Sequence, residues 1–338
     1  MDLHITHETR YDYASTVELA QHIAYLRPPD TPWQTVLEHQ LTVETGMGED
    51  SPRPTPTGPD AWSVDVYGNH RAFFALDRPH NLLRVTALSA LITRAPHPTA
   101  STLSTVTWEA LRDQYRYQAR ATWQSAAEFS FSSPRAPRHE AFAAYARPSF
   151  TPGRPALQAA RELMTRIHAD FQYQTHSTEV HTPALTALEM RQGVCQDFAH
   201  IMLACLRSVG LAARYVSGYL LTTPPPGRPR LIGSDASHAW VSLWLPDLRS
   251  EEDDQVSKAN EESARGGWYD LDPTNARDGW GTPGEDYVTL ATGRDYADVP
   301  PLRGVIHGGG THGLHVAVTV APQDELAALT SPAQATAV

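Results

Sequence analysis

Apolar and polar residues alternate with a period of two through much of the first 95 positions, a pattern that predicts β-strands. The run Leu3-His4-Ile5-Thr6-His7-Glu8-Thr9-Arg10-Tyr11 is of this kind, and residues 36–43, 61–66, 71–76 and 82–92 continue it. Turn signals stand between them: Pro28-Pro29-Asp30, a stretch over 46–60 with four prolines, and Tyr67-Gly68-Asn69. Short strands with dense punctuation predict a β-sandwich-like or open-barrel module over residues 1–95.

Beyond residue 95 the period changes. Residues 108–115 and 139–146 predict short helices in a connecting segment, 96–154. A longer helix is expected from Pro155, because Leu157, Ala160, Met164, Ile167 and Phe171 form one apolar stripe, and proline suits a first turn. A second helix follows Gly193-Val194-Cys195. Cys195, Phe198, Met202, Cys205 and Val209 share one face, and Ile201, Leu203 and Leu206 widen it, so this helix should be mostly buried. Gly210 is its stop signal. Strands are expected over 213–221, 238–245, 268–272 and 315–320. Helices followed by antiparallel strands predict an α+β core over 155–325, with a tail over 326–338. The proline-rich 222–229 and the acidic 249–267 read as surface insertions.

Composition narrows the classes. The 338 residues are 41% hydrophobic and 19% charged, which suits a globular chain with room for two domains. A formal charge of −11 speaks against nucleic acid and acidic membrane surfaces as partners. No apolar run approaches the ~20 residues of a membrane span, and the N-terminus carries no secretory pattern. Cys195 and Cys205 are too few for a disulfide framework or a Cys-rich zinc site, so a reducing cytoplasm is the expected compartment. His307, His312 and His315 stand in a glycine-rich turn with no carboxylate pattern beside them. Neither a His-Glu-x-x-His motif nor a P-loop occurs, and no metal or cofactor is expected.

Three short segments carry candidate chemistry. Cys195 follows a glycine turn and opens a helix, where free N–H groups and the positive end of the dipole favour a thiolate. Cys205, mid-helix, reads as inert core. In Ser237-His238-Ala239-Trp240-Val241-Ser242-Leu243-Trp244, alternation puts His238, Trp240, Ser242 and Trp244 on one strand face. In Trp268-Tyr269-Asp270-Leu271-Asp272-Pro273-Thr274-Asn275, Asp270 and Asp272 share a face, so parity alone does not separate them. A thiol, an imidazole and a carboxylate make a nucleophile, a base and an orienting group. His200, five residues past Cys195 and off its face, reads as a packed or capping side chain.

These segments resemble the core of bacterial transglutaminase-like proteins. The resemblance rests on Arg191-Gln192-Gly193-Val194-Cys195-Gln196-Asp197-Phe198-Ala199-His200, on Gly210 through Tyr219, on Ser237-His238-Ala239-Trp240-Val241 and on Asp272-Pro273-Thr274-Asn275. Tyr11-Asp12-Tyr13, Leu26-Arg27-Pro28 and Tyr67-Gly68-Asn69 resemble the β-rich region that often precedes that core, and Gly293-Arg294-Asp295-Tyr296-Ala297-Asp298-Val299-Pro300-Pro301 fits near the end. The resemblance implies a papain-like α+β core with Cys195 as nucleophile, His238 as general acid and base, and Asp272 as orienter. It implies acyl transfer through a thioester, to water or to an amine, on a peptide or protein substrate. The backbone N–H of Cys195 is the expected oxyanion donor, with Gln192 and Gln196 as weaker candidates for a second. The alternatives are a protein-glutamine transglutaminase, an acyltransferase using a small thioester, or a non-catalytic binding module of the same fold.

Overall fold

The computed structural model describes residues 1–47, 53–55, 61–96, 105–116, 119, 124–175, 182–222, 237–246 and 266–325. Most of both expected insertions and the whole C-terminal tail lie outside these residues.

The N-terminal strands are β1 (Asp2–Ala24), β2 (Gln34–Gly46), β3 (Arg53–Thr55), β4 (Trp62–Val64), β5 (His70–Leu76) and β6 (His80–Thr93). They pair antiparallel in the order β3-β2-β6-β1-β5-β4. The strand period holds in β1, where Leu3, Ile5, His7 and Thr9 are buried and the residues between them are not. Its pairing with β6 shifts between Asp12 and Val17, and β5 then takes over as neighbour along Ala20 to Ala24. One long strand thus serves two halves of a sheet around a core that includes Val17, Val43, Leu83 and Val85.

Four helices lead to the site: α1 (Trp108–Gln114), α2 (Glu140–Ala146), α3 (Ala156–Asp170) and α4 (Ala184–Met190), with a 3-10 turn over Ser125–Ser130. Pro155 caps α3 from outside rather than opening it, and Phe171 leaves the helix in an extended conformation. The two-residue strands β7 (Gln172–Tyr173) and β8 (Gln192–Gly193) pair in parallel ahead of α5 (Cys195–Ser208). The face and flanks of α5 are buried from Asp197 to Arg207, and Gly210 at φ 90° closes its end.

A five-stranded antiparallel sheet follows, built from β9 (Ala213–Leu220), β10 (Ser237–Leu245), β11 (Gly267–Asp272), β12 (Arg277–Trp280) and β13 (Tyr287–Gly293) in the order β12-β11-β10-β9-β13. Its one face, with Tyr215, Val241, Leu243 and Leu271, packs on α5. The architecture is the expected helix-borne cysteine on an antiparallel sheet. The sequence reading lacks α4, β12 and β13. A register shift between Thr289 and Ala291 breaks the period of β13, which hides it from a search by alternation.

The chain then returns to the first sheet through β14 (Leu302–Gly308) and β15 (His312–Pro322), which flank β1 along Val17–Ala24 and Leu3–Tyr13. The sequence reading carries the core to residue 325, whereas these two strands complete the N-terminal sheet. Between them Gly308, Gly309 and Gly310 all take positive φ (93°, 82° and 63°), a conformation that favours glycine at each step.

Candidate active site

Cys195 owes its position to the turn before it. Arg191 ends α4 in the left-handed region at φ 55°, and β8 then holds Gln192 and Gly193 against β7. Asp197 accepts a hydrogen bond from the Val194 N–H at 2.9 Å, closing the first turn of α5. A Cβ on Gly193 would stand 2.7 Å from Asp197 Oδ2, so the glycine makes room for this cap. Cys195 is half-buried, with its sulfur 3.9 Å from the Ser237 carbonyl oxygen. Its N–H belongs to the helical turn whose donors lack intrahelical acceptors. Cys205 is fully buried in the same helix, and burial pushes its thiol pKa up.

His238 sits at the start of β10, opposite Gly218 of β9. Its Nε2 is 2.8 Å from Asp272 Oδ2, and the Cys195 thiol lies near enough to the imidazole to act on its pKa. Burial lowers the imidazole pKa, but the hydrogen bonds to Asp272 and Cys195 and their charges outweigh it and raise it to about 10. Both neighbours therefore favour the protonated form of the ring. Burial raises the Asp272 pKa, but the hydrogen bond and charge of His238, with hydrogen bonds from Asn275 and Tyr287, bring it below the ordinary carboxylate range.

Register separates the two aspartates that parity leaves equivalent. Ser242 lies opposite Asp270, and Asp270 accepts from the Trp240 indole at 2.9 Å and from the Ser242 hydroxyl. Asp272, one step along the same face, reaches His238 instead. Its Oδ2 also accepts from Asn275 Nδ2 at 2.8 Å and from the Tyr287 hydroxyl at 2.7 Å, while Oδ1 accepts the Thr274 N–H at 2.8 Å. Asn275 Nδ2 lies 3.4 Å from His238 Nε2 as well. Cys195, His238 and Asp272 thus form one contiguous chain of contacts.

Sequence reasoning missed Asn275 and Tyr287 as partners of Asp272. Asn275 could be suspected from its place three residues after Asp272, since such spacing closes a turn on a carboxylate. Tyr287 comes from β13 and has no sequence signal. Trp240 is fully buried, with its ring 5.4 Å from Tyr287, so it forms the wall beneath the imidazole rather than an open channel. Gln192 lies on β8 and Gln196 in the first turn of α5. His200 is packed on Tyr215, and its Nε2 accepts the Tyr296 N–H at 3.3 Å. Burial drives its pKa down to about 4, against the raising charge of Asp295 and together with Arg135 and Arg207.

The sequence pattern of the transglutaminase-like superfamily matches residues 143–273, and that of the bacterial transglutaminase-like N-terminal region matches 3–91. An uncharacterized protein of Mycobacterium tuberculosis is 37% identical over 321 residues, covering 94% of this chain and 92% of its own. A protein-glutamine gamma-glutamyltransferase of Pseudomonas aeruginosa is 28% identical over 141 residues, 36% of this chain and 18% of that one. Among solved structures, a candidate cysteine protease from Cytophaga hutchinsonii shares the fold with a TM-score of 0.64 at 18% identity, covering 96% of this chain and 91% of its own. The chain belongs to the transglutaminase-like superfamily, with the bacterial transglutaminase-like N-terminal region ahead of its core.

Proposed function

We propose that the chain is a thiol-dependent hydrolase or acyltransferase of amide bonds, with Cys195 as nucleophile, His238 as general acid and base, and Asp272 as the group that orients the imidazole. The observation that carries this reading is the contact chain from the Asp272 carboxylate through the His238 ring to the Cys195 thiol. The His238 imidazole takes the thiol proton, the sulfur attacks the amide carbonyl carbon, and the new C–S bond leaves an oxyanion facing the N–H of Cys195. The C–N bond then breaks, and the departing amine takes the proton of the His238 imidazolium. The thioester that remains is opened by a second nucleophile, whose proton passes to the now neutral imidazole.

Water is the proposed second nucleophile, and a peptide or protein the proposed substrate, with the cytoplasm as the proposed compartment. The half-burial of Cys195 and the half-exposed Tyr173 beside it suit a substrate laid across the surface. A second reading, transfer to an amine, draws on the likeness to the Pseudomonas glutamyltransferase. Product analysis with glutaminyl and other peptidyl substrates at graded amine concentrations separates the two. Hydrolysis product should dominate, and Cys195→Ala should abolish it. Amide exchange with negligible hydrolysis at scarce amine would make the enzyme a transferase. Turnover that survives Cys195→Ala would overturn the thiol mechanism.

A further inference from the structure

At the far end of α5 from Cys195, about 21 Å away along a helix of this length, lies a cavity of about 620 Å³. Its walls come from α1, α2, the segment after the 3-10 turn, and the end of α5. Among the described residues five arginines line it: Arg112, Arg116, Arg138, Arg147 and Arg207. In a chain of net charge −11, such a local concentration of guanidinium groups is unexpected.

The charges are only partly answered. Arg112 and Arg116 share Asp113, at 3.0 and 3.5 Å, and exposed Arg147 pairs with Glu140 at 3.1 Å. Arg138 donates to the Ser130 carbonyl at 3.1 Å and has no carboxylate partner among the described residues. Buried Arg207 spends its donors on the carbonyls of Phe129, Ala213 and Arg294 and on the Ser133 hydroxyl, so it serves as fixed framework and adds positive potential. Two residues lining the same cavity, Tyr115 and Ser208, carry buried hydroxyls with no hydrogen-bond partner among the described residues. Tyr115 is only 9% exposed, and an orphaned buried hydroxyl is costly unless something else completes it.

We infer that this cavity binds a compact polyanion bearing phosphoryl or carboxylate groups, held by Arg112, Arg116 and Arg138 and by the hydroxyls of Tyr115 and Ser208. Guanidinium forks match both kinds of anion in a bidentate manner. The volume suits a metabolite rather than a polymer, and the aromatic rings of Trp108, Phe131 and Phe150 in the same wall leave room for an apolar portion. The site is independent of the catalytic reading, since it shares no residue with it.

The test is binding to the full chain by calorimetry and thermal shift, using inorganic pyrophosphate, ATP and citrate, with sodium chloride at matched ionic strength as the control. At least one probe should bind saturably and raise the melting temperature above the chloride control. Pyrophosphate or ATP without citrate assigns a phosphoryl ligand, and citrate alone a carboxylate. Arg138→Gln should weaken binding roughly tenfold, the worth of one charge-assisted hydrogen bond. Tyr115→Phe should weaken it several-fold without lowering the melting temperature of the ligand-free protein, an effect that a merely structural tyrosine would not produce. Absence of saturable binding by all three probes would overturn the inference. So would unchanged affinity in both variants, each shown to be folded by circular dichroism.

Discussion

At the scale of single residues, the two cysteines share a helix and a side-chain type and differ in surroundings. Cys195 is half-buried beside the His238 imidazole, whereas Cys205 has no exposed surface. Iodoacetamide at near-neutral pH should therefore alkylate Cys195 rapidly and leave Cys205 intact until the protein unfolds. Peptide mapping reads this, and equal rates in the folded protein would remove the case for a special thiol. His238 makes a second prediction through linkage. Its folded pKa, about 10, lies above the 6.5 of a free imidazole, so the folded state holds the proton more tightly. The stabilisation is fully present below about pH 6.5 and is lost as pH rises through about 10. In urea titrations the stability gap between the wild type and His238→Gln should be wide at the lower limit and narrow at the upper. A gap that widens with pH would contradict the assigned contacts.

At the scale of elements, the first turn of α5 depends on a glycine and a carboxylate acting together. Gly193 leaves the space in which Asp197 reaches back to the Val194 N–H. Gly193→Ala forces the carboxylate away and should cost about 1–2 kcal/mol, the usual worth of a helix cap. Because that turn presents the Cys195 N–H and thiol, the rate of alkylation at Cys195 should fall along with stability. Loss of stability with an unchanged alkylation rate would show that the cap supports the fold alone. The sheet carries a comparable device. The Tyr287 hydroxyl braces Asp272 from β13, so Tyr287→Phe should lower turnover more than it raises KM, since the carboxylate would orient the imidazole less firmly.

At the scale of the whole molecule, the N-terminal module covers the edge of the five-stranded sheet. The Asn69 side-chain amide exchanges two hydrogen bonds with the backbone of Thr292, both at 2.7 Å, and Gln34 does the same with Thr289 at 2.8 and 2.9 Å. Two amides thus stand where a neighbouring strand would pair with β13, which protects an otherwise open edge. The buried His7 imidazole meets the Tyr219 hydroxyl at 2.9 Å across the same interface. Asn69→Ala strands a buried N–H and C=O on β13, and Gln34→Ala a part-buried pair, so the first should cost about 1–3 kcal/mol and the second about 1 kcal/mol. Since β13 carries Tyr287, activity should fall with stability. Chemical denaturation and turnover measured together check this, and neutral substitutions would mean that the two sheets hold together by apolar packing alone.

The period of apolar residues is a local property of the backbone, and it was enough to identify α3, α5 and the alternating strands of the N-terminal module. The same local logic put the Cys195 thiol at a helix start and placed His238 on the face of Trp240 and Ser242. Choices between distant partners were not legible in this way. Asp270 and Asp272 have equal parity, and only the pairing of β11 with β10 hands one to Trp240 and Ser242 and the other to His238. The Tyr287 contact, the amides that cap β13 and the return of β14 and β15 to β1 all join residues far apart in the chain. The arginine-lined cavity gathers its walls from α1, α2 and α5, none of which shows by its own pattern what it faces. Each of these depends on which surfaces the packed elements present to one another, so the tertiary structure alone decides them.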